Sequence, residues 1–368
     1  MTTTIPYAYP PAPGGPRSAA SDSKALFARY EEIAWAEDLH WSTRYRKVRL
    51  LGAGGQGAVY LAQRLGADGF ARHVALKAFS PEPYHSDQHY LEDMARVGEA
   101  SSRVALIASD NVVYIHDFVE HSGIRLMEME WLDGFDIKEV LHPRMLERTR
   151  EKVAPERLEY IHSVILTEGV TQPRLKPGVA IAVLRDCLAG LAALHAAGIV
   201  HGDLKPANVM LTRTGNSKII DIGSTINLRH GNPRRVWSPA YAAPEVLNGQ
   251  DNTPRSDLAS LGYILVEMLA GQPLFEGLET FQELLTSKKS LAERLPELLP
   301  PEVGGNDLLL HVCRQLIAFE PDQRFPSAQA ADVGRKGAAD FHRQLVRGNL
   351  ATEYEHDLRS WLQQLTDV

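Results

Sequence analysis

A chain of 368 residues with 44% hydrophobic side chains has room for one large two-lobed unit or two ordinary domains, and enough apolar surface for a full core. Its formal charge of −7 argues against a dominant nucleic-acid surface, which is basic, so no nucleic-acid partner is expected. Cys187 and Cys313 stand singly in apolar, helix-like runs, which argues against a disulfide framework or a structural zinc site.

Pro6, Pro10, Pro11, Pro13 and Pro16, with Gly14 and Gly15, give residues 1–22 the composition of a disordered tail. The same stretch lacks the apolar run of a secretory signal. Leu26, Tyr30 and Ile33 then fall at i, i+4 and i+7 beside Trp35 and Trp41, predicting a helical extension over 23–43. Residues 45–51, 58–63 and 73–79 alternate, or run apolar and β-branched, as antiparallel strands do. A helix is predicted over 86–108 and a strand pair over 112–119 and 123–130. Asp133 and Gly134 break the pattern and mark a hinge to a helical region. Residues 142–178 mix both charge signs (Arg144, Glu147, Arg148, Glu151, Lys152), predicting a solvated helical insertion. The most apolar window, 181–200, carries Arg185, Asp186 and His195, which are costly in lipid. Leu184, Leu188, Leu191 and Leu194 recur there at helical spacing, so a buried helix, no membrane insertion and a cytoplasmic location are expected. Beyond Phe325 the chain stays helical, and Leu358, Trp361, Leu362 and Leu365 form a narrow stripe predicted to pack back on the large lobe.

Gly52, Gly54 and Gly57 lie between two strand-like runs, where a missing Cβ lets backbone approach phosphate oxygens. No helix opens after them, contrary to a dinucleotide fold, so a flap over a nucleotide is predicted. Lys77 ends the strand Val74-Ala75-Leu76-Lys77, where an ammonium can reach phosphates, and Glu99 or Glu92 on the following helix would orient it. Val209-Met210-Leu211, a turn at Thr214-Gly215-Asn216 and Lys218-Ile219-Ile220 make a hairpin that returns Asp221 beside Asn208, two oxygen ligands for a metal.

Five motifs occur in order: Gly52-Ala53-Gly54-Gly55-Gln56-Gly57, the strand ending at Lys77, His201-Gly202-Asp203-Leu204-Lys205-Pro206-Ala207-Asn208, Asp221-Ile222-Gly223 and Ala243-Pro244-Glu245. Together they resemble the protein kinase signature over residues 44–335, and the chain looks most like the eukaryotic-like Ser/Thr protein kinases of bacteria. The resemblance implies an α+β bilobal protein-kinase-like fold. A small antiparallel β-sheet lobe with one helix would span 44–132, and a larger helical lobe 133–335 would carry the 142–178 insertion, followed by a helical extension over 336–368. It implies ATP and Mg²⁺ as cofactors. Gly52, Ala53, Gly54, Gly55, Gly57, Val59 (on the adenine), Ala75 and Met210 would surround the nucleotide, with Met129, Glu130, Trp131 and Leu132 as the adenine hinge. By the same resemblance Lys77 pairs with Glu99, Asp203 is the catalytic base, Lys205 neutralises the moving γ-phosphoryl group, and Asn208 and Asp221 hold Mg²⁺. Arg103 departs from the pattern, standing where the family is usually apolar. Glu245 and Arg324 resemble the family's structural ion pair, and Asp257 the aspartate that braces the catalytic loop.

Lys205-Pro206 favours Ser/Thr over Tyr by resemblance, and Ser238-Pro239-Ala240-Tyr241 resembles the shelf on which a peptide lies, so a protein substrate with a Ser or Thr acceptor is the expected partner. A regulatory partner or a second copy would dock on 142–178 or on the terminal helices. A small-molecule phosphotransferase of the aminoglycoside or choline kinase type shares His-Gly-Asp but generally lacks the Ala-Pro-Glu segment and so complete a glycine loop. A pseudokinase scaffold would be missing a catalytic residue, yet Lys77, Asp203, Asn208 and Asp221 are all present. Gly202 stands where most protein kinases carry an arginine that binds a phosphorylated activation loop, which predicts that loop phosphorylation is not the on-switch.

Overall fold

The computed structural model describes residues 44–222, 226–227, 238–347 and 354–365. The tail and helix expected over 1–43, and Gly223, lie outside the described residues. The chain divides into two compact units, residues 1–45 with 64–71, and residues 46–63 with 72–368. In the described part of the first, the Gly66 amide donates to the Phe70 carbonyl at 2.7 Å and closes a tight turn.

Strands β1 (Arg44–Gly54), β2 (Gly57–Leu65), β3 (Ala71–Phe79), β4 (Ile115–His121) and β5 (Ile124–Glu130) form one sheet in the order β1-β2-β3-β5-β4. β3 pairs antiparallel with β5, Ala75 opposite Met129 and Lys77 opposite Met127. Residues two apart on a strand share a face, so this register aligns Ala75 and Lys77 beside the hinge end of β5. Helix α1 (Asp87–Val104) begins where Ser86 Oγ accepts from the His89 amide at 3.3 Å, and it buries Tyr90, Met94, Ser101 and Val104. β4 starts at Ile115, later than the alternation suggested. Val112 instead bridges Ile219, and the Val113 amide donates to the Ile219 carbonyl at 2.9 Å, so both valines serve the large lobe.

That lobe opens with β6 (Gly134–Asp136) and α2 (Ile137–Val140), then α3 (Pro143–Lys152), α4 (Pro155–Val164), the short pair β7 (Leu166–Thr167) and β8 (Arg174–Leu175), and α5 (Pro177–Ala196). α5 is the described helix long and apolar enough to span a bilayer, but Leu184, Leu188, Leu191 and Leu194 are all buried in the lobe core. β9 (Ile199–Val200) leads into the segment 201–208, followed by the hairpin β10 (Val209–Thr212) and β11 (Ser217–Ile219), then β12 (Ile226–Asn227), which pairs with β9. Helices α6 (Pro244–Leu247), α7 (Pro254–Ala270), α8 (Phe281–Leu298), α9 (Pro301–Gly304), α10 (Asp307–Ile317), α11 (Ala328–Val333), α12 (Ala338–Arg347) and α13 (Tyr354–Gln364) complete it. α7 is started by a Thr253–Ser256 capping box with Pro254 in its first turn, and from Ser256 to Ala270 it is wholly buried.

α13 is seated on the insertion. Leu358, Trp361, Leu362 and Leu365 are buried, Trp361 Nε1 donates to Thr149 Oγ1 at 3.2 Å, and Tyr160 donates to the Asp357 carboxylate at 3.0 Å. Its carbonyl end is held by two guanidiniums, Arg148 on Leu365 O at 2.6 Å and Arg213 on Leu362 O at 2.5 Å. The charged outer face of α3 thus hides an inner one, Met145, Leu146 and Thr149, that is fully packed.

Candidate active site

Asp257, at the start of α7, is the anchor. Its carboxylate accepts from the backbone amides of His201 and Gly202, each at 2.9 Å, and meets His195 Nε2 at 2.8 Å. Amide bonds to an ionised carboxylate are among the stronger hydrogen bonds, so the backbone entering Asp203 is fixed from beneath. Gly202 takes φ +79, a left-handed conformation that glycine adopts without a Cβ penalty. His201 is fully buried, its Nε2 3.0 Å from the Ile220 carbonyl, so one segment is tied to the next.

Asp203 is 5% exposed and bonded on both oxygens: Oδ2 accepts from Lys205 Nζ at 2.7 Å and Oδ1 from the Ser238 amide at 2.8 Å. Lys205 Nζ also reaches Ser238 Oγ at 3.2 Å. Asp203, Lys205 and Ser238 therefore meet at one point. Asn208 donates Nδ2 to the Asp203 carbonyl at 2.8 Å, which leaves its Oδ1 for a cation.

The hairpin pairs Val209 with Ile219 and Leu211 with Ser217, and the Ile220 amide donates to the Asn208 carbonyl at 2.9 Å, bringing Asp221 back to Asn208. Asp221 sits at φ +60, a backbone conformation uncommon for a residue with a side chain and concentrated at functional sites. Lys77 Nζ crosses from the sheet lobe to Asp221 Oδ1 at 2.5 Å, with Gln56 Oε1 at 3.2 Å. Burial alone would raise the Asp221 carboxyl; Lys77 first, then His201 and Lys205, outweigh it and hold it below the usual carboxylate range.

A cleft of about 850 Å³ lies between the sheet and helical lobes. Of the residues expected around a nucleotide, Gly52, Val59, Ala75, Lys77, Met129, Glu130, Trp131, Leu132 and Met210 line it, as do Asn208 and Asp221. Ala53, Gly54, Gly55 and Gly57 do not. Gly57 has a packing reason of its own: at φ +130, a Cβ would fall 1.9 Å from the Ala78 carbonyl oxygen on β3. Glu130 turns its carboxylate outward, accepting from the Tyr114 amide at 2.8 Å and from Lys218 Nζ at 2.6 Å.

The carboxylate that Lys77 meets is that of Asp221. The buried stripe of α1 runs through Tyr90, Met94, Ser101 and Val104. At about 100° per residue, Glu99 lies half a turn from that stripe, and so does Glu92. Both are exposed. Sequence reasoning also passed over Asp136, which lines the cleft at the end of β6 and caps α2 by accepting from the Glu139 amide at 2.8 Å. Burial pushes its carboxyl up to about 6 against the opposing pull of that amide bond. The Asp-x-x-Glu capping pattern, Asp136 to Glu139, was the signal available.

Elsewhere the expected Glu245–Arg324 pair forms as a buried two-pronged bridge, 2.6 and 2.7 Å, with Arg324 also donating to the Ala318, Arg255 and Phe319 carbonyls. Ile222 is buried behind Asp221. Among the described residues no cluster of three or more His, Cys, Asp or Glu could hold a metal by itself. Asp221 and Asn208 offer two oxygens, which suits Mg²⁺: it keeps several waters and takes the rest of its ligands from substrate phosphates.

A five-stranded sheet lobe carrying one lysine over a helical lobe that carries an Asp–Lys–Asn loop and a second aspartate is the architecture of a two-lobed kinase. The protein kinase domain family model matches residues 45–333, and the chain belongs to that family. It is 26% identical over 310 residues to serine/threonine-protein kinase PrkC of Bacillus subtilis, covering 82% of this chain and 41% of that one. To serine/threonine-protein kinase PknD of Mycobacterium tuberculosis it is 28% identical over 320 residues, covering 84% of this chain and 42% of that one. The chain spans about two fifths of the length of these curated relatives.

Proposed function

We propose that this chain is a Ser/Thr protein kinase that transfers the γ-phosphoryl group of Mg²⁺-ATP to a protein hydroxyl. The observation that carries the reading is that Lys77, Asn208 and Asp221 line one cleft, that Asn208 is bonded to the Asp203 backbone, and that the Ser238 amide and hydroxyl are bonded to Asp203 and Lys205. Mg²⁺, when bound, would supply positive charge to offset that of the nucleotide phosphates. Asn208 Oδ1 and the Asp221 carboxylate would hold it. Lys77 orients Asp221 and gives phosphate oxygens an ammonium. Asp203 aims the acceptor hydroxyl and takes its proton, and Lys205 offsets negative charge on the group in transit. The Ser238–Tyr241 segment beside Asp203 favours a peptide acceptor over a small molecule.

The glycine at 202 supports the His-Gly-Asp subtype, in which phosphorylation of the loop from Asp221 to Glu245 is not the on-switch. The Asp257 bonds to backbone amides need no side chain at that position.

Asp203→Ala is expected to bind ATP like wild type while losing about 10²- to 10⁴-fold in transfer to a protein acceptor. Asp221→Ala should weaken Mg²⁺-nucleotide binding as well. Wild-type transfer by Asp203→Ala would refute the assignment.

A further inference from the structure

Helix α8 turns one stripe inward, Leu284, Lys288, Leu291 and Leu295, and one of its four members is a lysine. Lys288 is 1% exposed. Its Nζ donates to the Ala240 carbonyl at 2.6 Å and lies 3.9 Å from the ring centroid of Tyr263 and 3.8 Å from that of Phe275. Among the described residues no carboxylate forms an ion pair with it. Burial first, then the like charge of Arg324, pushes its amine well below the ordinary lysine range. An ammonium buried without a counter-ion is costly, and a leucine, as at the other three positions, would fill the space for less. What a lysine does there that a leucine cannot is hold a backbone carbonyl.

That carbonyl belongs to the segment facing Asp203. At one end the Ser238 amide is bonded to Asp203 Oδ1 at 2.8 Å. At the other, Ser260 Oγ donates to the Tyr241 carbonyl at 2.8 Å, and Tyr241 donates its hydroxyl to Glu267 Oε2 at 2.6 Å. The peptide between Ala240 and Tyr241 is the middle of this span, and Lys288 reaches it from below. Resting on the reading of 238–241 as an acceptor shelf, we propose that Lys288 is a positioning residue for the protein substrate: it fixes the Ala240 peptide plane, and with it the placement of the acceptor hydroxyl over Asp203. The Tyr263 and Phe275 rings pack against Nζ and keep it aimed at the carbonyl. Lys288 is not among the residues lining the nucleotide cleft, so its effect falls on the acceptor.

The test uses the full chain, casein as a general Ser/Thr acceptor, and the variants Lys288→Met and Lys288→Gln. Methionine keeps the length and apolar volume of the stem and removes the donor. Lys288→Met should melt no lower than wild type and keep its KM for ATP, while kcat/KM for casein falls about 10- to 100-fold, the scale of a misplacement near 1 Å. Lys288→Gln, which retains a donor, should recover part of that loss. Unchanged kcat/KM for casein in Lys288→Met overturns the proposal. So does a markedly lower melting temperature, or a KM for ATP rising in step, because the lysine then holds the lobe as a whole. If wild type binds ATP but phosphorylates no protein, the kinase reading itself falls, and this inference with it.

Discussion

Trp361→Ala measures how firmly the C-terminal helix is built into the large lobe. The indole is fully buried in α13 between α3 and the hairpin side of the lobe, and its Nε1 donates to Thr149 Oγ1 at 3.2 Å. Thr149 keeps a bond of its own to the Met145 carbonyl at 2.7 Å, so truncation strands no donor on the partner. The cost is therefore that of lost burial plus a cavity, about 3–5 kcal/mol for an aromatic cut to alanine. A helix at the end of the described chain can also leave its seat, which caps the loss at the free energy of docking α13. In a lobe of this size each kcal/mol moves the midpoint by about 2 °C, so a fall of about 6–10 °C is expected in a far-ultraviolet melt. Trp361→Phe should recover most of it. Arg148 and Arg213 lose their carbonyl acceptors when α13 loosens; both guanidiniums stack on Phe135, and all three residues line the cleft. A several-fold rise in the KM for ATP should accompany the lower midpoint. A midpoint within about 2 °C of wild type would refute the reasoning, because α13 would then be an ornament on the lobe.

Arg324→Met leaves the Glu245 carboxylate buried without its partner and should cost about 3–5 kcal/mol in chemical denaturation; the double variant with Glu245→Met should regain much of that. Failure of the second change to help would show that the carbonyl bonds of Arg324, not its charge, hold the site. Asp136→Asn tests the half-buried carboxyl lining the cleft. Its folded value is raised to about 6 above an ordinary 3.8, so the wild-type carboxyl contributes stability below the lower value and loses it as pH rises through the higher one. Asparagine caps a helix as well as aspartate does, so Asp136→Asn should be more stable than wild type at neutral pH and hold no advantage below about pH 4. A stability difference independent of pH would refute it.

The motif residues were legible because each chemical role demands a residue type at fixed spacing on a strand, loop or hairpin. The hairpin returning Asp221 to Asn208 could be read from two short apolar runs around Gly215. Phase was harder to read: the apolar stripe of α1 sets Glu99 on the opposite face. Lys288 was passed over beside Lys289, although Leu284, Leu291 and Leu295 place it, and not its neighbour, on the inner face. Val112 and Val113 read as strand because they are β-branched; only the fold reveals that they pair with Ile219, a hundred residues on. The seat of α13 was likewise hidden, since the charges of the insertion advertise its wet side alone.

Gly202 has a consequence for how such a loop can evolve. An arginine at φ +79 would carry a standing backbone cost of about 1–2 kcal/mol, a spring held compressed until some ligand made it worthwhile. With glycine the spring is never wound. The backbone keeps that conformation without a Cβ to resist it, and both amides rest on Asp257.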